Sequence, residues 1–316
     1  MQALGVDLHT HSTASDGIYS PGELLQHAHA AGLRVLALTD HDSTNGVEEA
    51  AQGARALNIE FIPGIEINTE GSGGEMHVLG YFPEYQRAAF QAVLQVLRDA
   101  RERRGERMVE RLNEQGVHIT WERVRQIAHG AVGRPHVAQA LIEAGYVQNM
   151  PEAFEKYLCS GCPAYVQRYK LRVEDAIHLI ASANGLPVLA HPAELLGRVT
   201  AGIPVPQTGC HKGPPIHSTP RSPLRSWLPR LCEAGMVGLE TYYGQYTEET
   251  VSELHRLADE YHLIPTGGSD FHGPGIHPTP LGGHAVPYES VERLKELARV
   301  RHGQAPPAFA LPPPAE

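Results

Sequence analysis

Residues 35–42 read VLALTDHD, an apolar run of strand length that ends in polar residues. A short apolar run of this kind is typical of a buried strand in a parallel sheet. A predicted helix lies on each side of it, at residues 21–33 and 46–57, and Ser20 and Pro21 supply the N-cap and the first helical position of the former. The alternation of strand and helix predicts βαβ units, and therefore an α/β fold with a largely parallel sheet.

The same alternation continues on both sides of a long helical stretch, residues 89–157. Further strands are predicted at 5–11, 59–67, 75–82, 187–191, 237–242 and 263–267, and further helices at 173–184, 227–234, 248–261 and 290–301. The predicted domains are therefore a discontinuous α/β domain of residues 1–98 and 164–303, a helical insertion of residues 99–163, and a Pro-rich tail of residues 304–316 that we expect to be disordered.

Composition narrows the function classes. The net charge of −10 argues against a protein that coats duplex nucleic acid, although it leaves room for one small basic pocket. The chain has four cysteines, no run of roughly 18 apolar residues and no basic segment before an apolar run at its N-terminus, so we expect a cytoplasmic protein without a membrane span or secretion signal. The nineteen histidines prompt a search for metal sites, because imidazole is the commonest metal ligand.

Candidate metal ligands recur where predicted strands end. His9 and His11 lie two apart on a predicted strand, so both rings point to the same face, and Asp270 and His272 repeat that spacing after a late strand. Most candidates fall at or near the C-terminal ends of predicted parallel strands, where α/β folds assemble active sites. The full set is His9, His11, Asp16, His41, Glu66, His77, His191, Asp270 and His272.

Each of these residues alone is weak evidence for a metal site. A single histidine at a strand end is more often a surface or core residue, and an aspartate after a strand is often a helix N-cap. Six imidazoles and three carboxylates at one edge would, however, be repulsive and poorly solvated without cations. Each imidazole can donate a lone pair to a divalent cation, and each carboxylate can bridge two. The recurrence therefore predicts a cluster of divalent cations.

Six stretches together resemble the PHP (polymerase and histidinol phosphatase) family of metal-dependent phosphoesterases, in the family's order: DLHTHSTASDG, LTDHD, GIEI, EMHVLGY, LAHP and GSDFH. The resemblance runs from Val6 to about Arg301 and implies a distorted (β/α)7 barrel, similar to a TIM barrel, with an inserted all-helical subdomain and a metal cluster at the C-terminal rim. It also implies three metal ions, with Mn²⁺ favoured and Zn²⁺ or Fe²⁺ as alternatives. The implied sites are His9, His11, Glu66 and Asp270; Glu66, His77 and His191; and Asp16, His41 and His272.

Within the family, the helical insertion and its GRPHVA stretch at residues 133–138 are similar to the nucleoside 3′,5′-bisphosphate phosphatases, whose relatives also act as 5′-to-3′ exonucleases on short RNA or DNA. This resemblance implies that Arg134 and His136 contact a substrate phosphate and that Lys170 is a second candidate for that role. Arg and Lys are chemically suited to position a phosphate. Two structural alternatives stay open: Arg134 as a cap at a helix end, and Lys170 as a solvated loop residue.

These expectations define a reaction. The implied nucleophile is a hydroxide that bridges metal ions, with no side chain assigned to that role, and the 3′-phosphate of a nucleoside 3′,5′-bisphosphate is the group that it hydrolyses. The expected substrate is a nucleotide or the 5′ end of a short RNA or DNA. We expect no stable binding of duplexes or membranes, and the sequence leaves the protein partners unknown. The alternatives are a histidinol-phosphate phosphatase, a non-catalytic PHP module, and a hydrolase with an amidohydrolase-like barrel.

Three further features have competing interpretations. Cys159 and Cys162 could form half of a zinc site with residues 210–211, a redox pair, or two ordinary small residues, and the last interpretation is favoured. The Pro-rich residues 200–225 are predicted to be a loop, either a lid over the site or a disordered segment. The Arg-rich residues 98–111 could bind RNA, but interleaved acidic residues favour a solvated helix face.

Overall fold

The computed structural model describes residues 5–71, 74–196, 223–244, 246–274, 276 and 279–312. Within these residues eight strands form one sheet. They are β1 Gly5–Asp7, β2 Leu33–Leu38, β3 Glu60–Gly71, β4 Gly74–Tyr81, β5 Leu171–Arg172, β6 Leu186–Leu189, β7 Gly238–Tyr243 and β8 Ile264–Gly268. All of them except the short β5 coincide with strands predicted from the sequence.

The sheet curls into a nearly closed barrel. Its strand order is β1-β2-β3-β4-β6-β7-β8, and β5 pairs with the C-terminal end of β3. Leu8 N donates to Gly267 O at 3.1 Å, and Thr10 forms a parallel bridge with Phe271, so the chain after β1 lies against β8 and the residues that follow it. The predicted barrel of the α/β class is therefore confirmed.

One strand departs from the parallel arrangement. The neighbours in the sheet run parallel except at β4, which is antiparallel to both β3 and β6. A parallel pair would need a crossover of about a dozen residues or more, whereas β4 begins three residues after β3 ends. Because of this hairpin, Glu66 and His77 lie inside strands and not at strand ends.

Helices pack against the barrel strands or form the helical stretch between β4 and β5. Those described are α1 Pro21–Ala30, α2 Val47–Leu57, α3 Ala88–Glu114, α4 Trp121–Ile127, α5 Arg134–Glu143, α6 Met150–Ala153, α7 Val173–Ser182, α8 Pro223–Glu233, α9 Glu248–Glu260 and α10 Tyr288–His302. The predicted start of α1 is confirmed: Ser20 Oγ accepts from Glu23 N at 3.3 Å, and the Glu23 carboxylate accepts from Ser20 N at 2.9 Å. In the described part of the chain, no helix is long and apolar enough to cross a membrane. The cytoplasmic location stays a prediction.

The helical stretch between β4 and β5 has a hydrophobic core of its own. Leu112, Val137 and Phe154 belong to this core, whereas Leu94 of the same helix α3 packs against the strands of the barrel. The predicted boundary between residues 98 and 99 therefore lies inside a continuous helix that contributes to both cores. The division into a barrel and an insertion stays a prediction.

Two predicted segments are only partly described. Residues 200–222 of the predicted loop lie outside the described residues, and residues 223–225 form the first turn of α8, which a proline can begin because its missing N–H has no helical partner there. In the tail, Tyr169 Oη donates to Pro312 O at 3.0 Å, and Phe309 packs against the core on the helical side of the sheet. The disorder of the tail stays a prediction.

The helical stretch contacts the barrel at the loop after β1. Ala131 N donates to Ala14 O at 3.1 Å. Gly130 lies so close to this loop that an added Cβ would be 2.4 Å from the carbonyl carbon and oxygen of Ala14. Because the same loop carries Asp16, this contact also holds a predicted metal ligand in place.

We therefore expect Gly130→Ala to lower the Tm, since the new methyl group must push the two parts of the chain apart, and overpacking of this kind costs about 1–3 kcal/mol. Gly53→Ala in α2 is a matched control: its Cβ would meet no atom closer than 3.6 Å. Alanine also favours a helix interior over glycine by about 1 kcal/mol. Thermal unfolding followed by circular dichroism measures both variants. A Tm of Gly130→Ala at or above the wild-type value would contradict the tight contact.

Candidate metal centre

The structure brings all nine predicted metal ligands together at one end of the barrel. They come from loops after β1, β2, β6 and β8 and from within the β3–β4 hairpin, and each is buried or half-buried. Three groups have candidate ligand atoms within 4.8 Å of one another: His9, His11, Glu66 and Asp270; His11, Asp16, His41 and His272; and His41, Glu66 and His77. His191 lies beside the last group, since its Nε2 lies 3.1 Å from His77 Nδ1.

Glu66 is the centre of this arrangement and is fully buried. Its two carboxylate oxygens face five imidazoles. Oε2 lies 3.3 Å from His9 Nε2, 3.2 Å from His11 Nε2 and 2.9 Å from His41 Nδ1, and Oε1 lies 2.8 Å from His77 Nδ1 and 3.3 Å from His191 Nε2. One carboxylate therefore lies among five imidazoles, and its predicted role as a bridge between cations stays a prediction.

Two aspartates complete the set. Asp270 Oδ1 lies 3.2 Å from His9 Nε2 and 3.1 Å from His11 Nε2, while Tyr243 Oη donates to the other oxygen, Oδ2, at 2.9 Å. Asp16 Oδ1 lies 3.4 Å from His272 Nε2 and 3.8 Å from His41 Nε2. His41 therefore faces Glu66 with one ring nitrogen and Asp16 with the other, which links the groups into one cluster.

The donor atoms fit divalent cations. Several buried atoms approach one another at ion-pair distance, yet within the described residues they form no hydrogen bond: Glu66 Oε2, Asp16 Oδ1, His9 Nε2, His11 Nε2 and His41 Nδ1. Buried polar atoms in native proteins nearly always have a partner. Imidazole nitrogens and carboxylate oxygens whose lone pairs converge are the donors that Mn²⁺, Zn²⁺ and Fe²⁺ accept. The cluster therefore suits divalent metal ions.

The cluster perturbs the pKa values of its members strongly. Burial by itself would raise the pKa of Glu66, but the imidazoles of His41, His9 and His77 hold it well below the ordinary range. Burial likewise opposes protonation of His11 and His77, but nearby carboxylates raise the pKa of His11 to about 10 and that of His77 to about 9. In the metal-free protein these two side chains are therefore imidazolium ions, with a proton on both ring nitrogens, at neutral pH.

Metal binding should therefore release protons. His11 and His77 must each lose a proton before they offer a lone pair, so the apparent affinity for Mn²⁺ should rise with pH, about tenfold per pH unit for each proton displaced. Titration calorimetry between pH 6 and 8, in two buffers of different ionisation enthalpy, measures the number of protons released. Equal heats in the two buffers would mean that cations do not compete with these protons.

A cationic cavity lies beside the metal cluster. It is lined by Glu70, Glu75, Arg104, Arg134, Tyr165, Gln167, Arg168 and Lys170. Glu75 connects the two places: its Oε1 lies 2.8 Å from Lys170 Nζ and 3.4 Å from His77 Nε2, and its Oε2 lies 3.9 Å from Arg134 Nη2. Four cationic side chains thus share this cavity with two carboxylates.

The positive charge of the cavity is largely buried. Arg104 and Arg168 are each less than a tenth exposed, and their Nε atoms have no hydrogen-bond partner within the described residues. Burial and the neighbouring guanidinium groups lower the pKa of Arg104 well below its usual range and that of Arg168 to about 10. An anion in the cavity would relieve this repulsion and would receive charge-assisted hydrogen bonds.

The three residues predicted to contact a phosphate do not all lie in the same place. Arg134 and Lys170 line the cavity. His136 does not: it is buried at the start of α5, where its Nδ1 accepts from Gly133 N at 2.9 Å. Burial lowers the pKa of His136 to about 4, which keeps this imidazole neutral at physiological pH. The phosphate-binding roles of all three residues stay predictions.

Comparison with known proteins now identifies the family. The family description PHP domain matches residues 7–158. A 5′-3′ exoribonuclease from Haemophilus influenzae is 33% identical over 270 residues, which are 85% of this chain and 90% of the relative. The chain belongs to the PHP domain family. A 3′,5′-nucleoside bisphosphate phosphatase from Chromobacterium violaceum is 31% identical over 85% of this chain and 88% of its own length.

A solved structure agrees with this assignment. A metal-dependent phosphoesterase from Bifidobacterium adolescentis superposes on this PHP chain with a TM-score of 0.79 and 28% identity, over 93% of this chain and 96% of the other. The predicted family is therefore confirmed, and so is the prediction that the chain is a phosphoesterase of the hydrolase class. The PHP family and the converging donor atoms together support binding of divalent metal ions.

Some residues of this PHP site were not predicted. Arg101 and Arg104 of α3 are buried, although residues 98–111 were expected to form a solvated face; that expectation holds for the exposed Arg103 and Arg107 and is wrong for the other two. Arg101 Nε donates to Asp42 Oδ2 at 2.6 Å, which a charge pattern read along the helix does not reveal. The sequence did contain a signal for this burial. With 3.6 residues per helical turn, Arg101 and Arg104 share a face of α3 with the buried Leu97 and Met108.

Buried carboxylates also shape the PHP site without being predicted ligands. Asp40 accepts from Ser12 N, Ser12 Oγ and Ser15 Oγ at 2.8, 2.7 and 2.6 Å, and so fixes the loop that leads to Asp16. Asp7 accepts from Ser269 N at 2.9 Å and fixes the residue before Asp270. Asp40 follows one predicted strand directly and Asp7 lies within another, and these positions were the signal in the sequence for their role.

The favoured interpretation of Cys159 and Cys162 as two ordinary small residues is wrong for Cys159. Cys159 is disulfide-bonded, whereas Cys162 carries a free thiol whose Sγ donates to Glu155 O at 3.1 Å. The two therefore do not form a redox pair with each other. The alternative of a zinc site with residues 210–211 concerns residues outside the described ranges.

Proposed function

We propose that this PHP enzyme hydrolyses the 3′-phosphate of nucleoside 3′,5′-bisphosphates and, with the same geometry, removes nucleotides from the 5′ end of short 5′-phosphorylated RNA or DNA. The observation that carries the proposal is the cationic cavity beside the metal cluster. A substrate with one phosphate needs only the cluster, whereas a substrate with two phosphates needs a second anion site a short distance away.

The proposed metal ligands are the nine converging residues. Three cations, with Mn²⁺ favoured, would be held by His9, His11, Glu66 and Asp270; by Glu66, His77 and His191; and by Asp16, His41 and His272. When bound, such cations lower the pKa of a water molecule to about 7 and neutralise phosphoryl oxygens.

The cavity residues would position the ester for that chemistry. Arg134 and Lys170, together with Arg104 and Arg168, would bind the 5′-phosphate. With that group held, the 3′-phosphate can reach the metal cluster in a single orientation, and such positioning accounts for much of the catalysis of phosphoryl transfer. The negative charge of Glu75 limits the repulsion among the four cationic side chains of the cavity until the phosphate binds.

The same cavity argues against the main alternative. Histidinol phosphate carries one phosphate and an ammonium group, and four cationic side chains would repel that ammonium group. A non-catalytic PHP module is also disfavoured, because each predicted ligand position holds a residue that can bind a metal ion.

We expect kcat/KM for adenosine 3′,5′-bisphosphate to exceed that for adenosine 3′-monophosphate by about a hundredfold or more, since charge-assisted contacts to the second phosphate are worth several kcal/mol in a desolvated site. Histidinol phosphate should be hydrolysed no faster than the monophosphate. Parallel phosphate-release assays with Mn²⁺ measure all three, and a short oligonucleotide with or without a 5′-phosphate tests the exonuclease activity. Hydrolysis of histidinol phosphate at a kcat/KM equal to or above that for adenosine 3′,5′-bisphosphate would overturn the proposal.

A further inference from the structure

A buried carboxylate lies beside the metal cluster and belongs to none of its three groups of candidate ligands. Glu240, in β7, has no solvent exposure. Its Oε1 lies 3.1 Å from His9 Nδ1, and its Oε2 accepts from the backbone N of His191 at 2.7 Å. One carboxylate therefore contacts a ligand from each of two proposed metal sites.

The contact with His9 determines which ring nitrogen can bind a metal ion. His9 Nε2 faces Glu66 and Asp270, at 3.3 and 3.2 Å. A carboxylate only accepts hydrogen bonds, so it holds the imidazole proton on Nδ1 and leaves the lone pair on Nε2. Partners of this kind fix the tautomer and the orientation of histidine ligands in metal sites.

The contact with the backbone N–H of His191 stabilises an unusual backbone conformation. His191 has a φ of +27°, a region that residues other than glycine rarely adopt. Its N–H donates to Glu240 while its side chain turns back toward Glu66 and His77. The hydrogen bond therefore offsets part of the cost of the conformation that aims this ring at the cluster.

We infer that Glu240 is a positioning residue that sets the tautomer of His9 and the backbone of His191, and so couples two metal sites through one side chain. The inference rests on the proposed metal centre and is independent of the substrate. It predicts that metal affinity, and not the recognition of phosphate, depends on Glu240.

Glu240→Gln separates this role from simple packing, because glutamine has almost the same shape. In the wild type, His9 Nδ1 and His191 N contact different carboxylate oxygens, so the single carbonyl oxygen of glutamine can take only one of these two positions. The backbone N–H of His191 cannot change, so the carbonyl should stay there and the amide NH₂ should face His9 Nδ1. The ring then favours the tautomer with its proton on Nε2, where it blocks a metal ion.

The test measures Mn²⁺ binding to purified wild-type and Glu240→Gln protein by electron paramagnetic resonance of free Mn²⁺. We expect binding to weaken about 10- to 100-fold. Activity at limiting Mn²⁺ should fall and should recover with excess Mn²⁺, with KM for the nucleotide unchanged. Glu60→Gln is the matched control, since Glu60 pairs with Lys295 and Tyr288 away from the cluster; it should bind Mn²⁺ like the wild type.

A second measurement does not depend on the variant folding. In wild-type protein loaded with diamagnetic Zn²⁺, nitrogen-15 NMR should show His9 with a proton on Nδ1 and zinc on Nε2. Zinc on Nδ1 of His9, or wild-type Mn²⁺ affinity in Glu240→Gln, would overturn the inference. Neither result bears on which nucleotide is hydrolysed, so failure here is distinguishable from failure of the proposed function.

Discussion

Glu66→Gln is expected to lower kcat/KM by about a thousandfold or more. Glu66 faces five imidazoles and is proposed to bind two cations, so loss of its charge should remove roughly 4 kcal/mol or more of transition-state stabilisation. Elemental analysis of the purified variant should also show fewer bound metal ions per chain. The measurements are kcat/KM with saturating Mn²⁺ and metal content.

The control for this substitution is Glu84→Gln, which changes a carboxylate that accepts from Asn184 Nδ2 at 2.8 Å outside the cluster. It should retain wild-type activity and metal content. Circular dichroism must accompany the Glu66 variant, because a neutral amide among protonated imidazoles also removes ion pairs from the folded state. A correctly folded Glu66→Gln with near-wild-type turnover would disprove the proposed metal centre.

Lys170→Met is expected to change specificity more than chemistry. The ammonium group of Lys170 is the cavity cation closest to Glu75, and its loss should reduce kcat/KM for adenosine 3′,5′-bisphosphate about a hundredfold, as removal of one preorganised donor typically does. Hydrolysis of adenosine 3′-monophosphate should change little, because that substrate has no second phosphate. The ratio of the two kcat/KM values is the measurement.

Lys156→Met supplies the matched control, since Lys156 pairs with Glu152 on the exposed surface of the helical stretch. Its substrate ratio should equal that of the wild type. An equal loss for both substrates in Lys170→Met would indicate that Lys170 supports the metal cluster through Glu75 and His77. An unchanged ratio with unchanged rates would remove Lys170 from phosphate binding.

Glu66→Gln and Lys170→Met change two different parts of one site, the metal cluster and the cationic cavity. Glu66 helps to raise the pKa values of His9, His11 and His77 against the effect of burial, so its loss disturbs the cluster itself. Lys170 and His77 both contact Glu75 Oε1, at 2.8 and 3.4 Å, so Lys170 lies at the border between the cluster and the cavity. Burial lowers the pKa of Lys170, although Glu75 opposes that change, so the ammonium group gains from any anion that enters.

The direction of β4 shows a limit that sequence reasoning could have overcome. The predicted strands at 59–67 and 75–82 are too close in the chain for a parallel crossover, so the spacing already implied a hairpin. The alternation of strands and helices in the rest of the chain favoured parallel strands, so the hairpin was not predicted. The consequence is local: Glu66 and His77 reach the cluster from the middle of paired strands.

The sequence by itself determined the α/β class, because the periodicity of strands and helices is a local property. The stretches that resemble the PHP family implied the barrel and the nine residues that converge at its end. Only the tertiary structure showed that Glu240 supports His9 and His191 and that Arg104 and Arg168 share a cavity with Lys170. These contacts join residues from distant elements, and the cost of burying a charge depends on partners that no local pattern identifies. Arg103 is exposed and Arg104 is buried because they lie on different faces of α3, and only the fold shows what each face contacts.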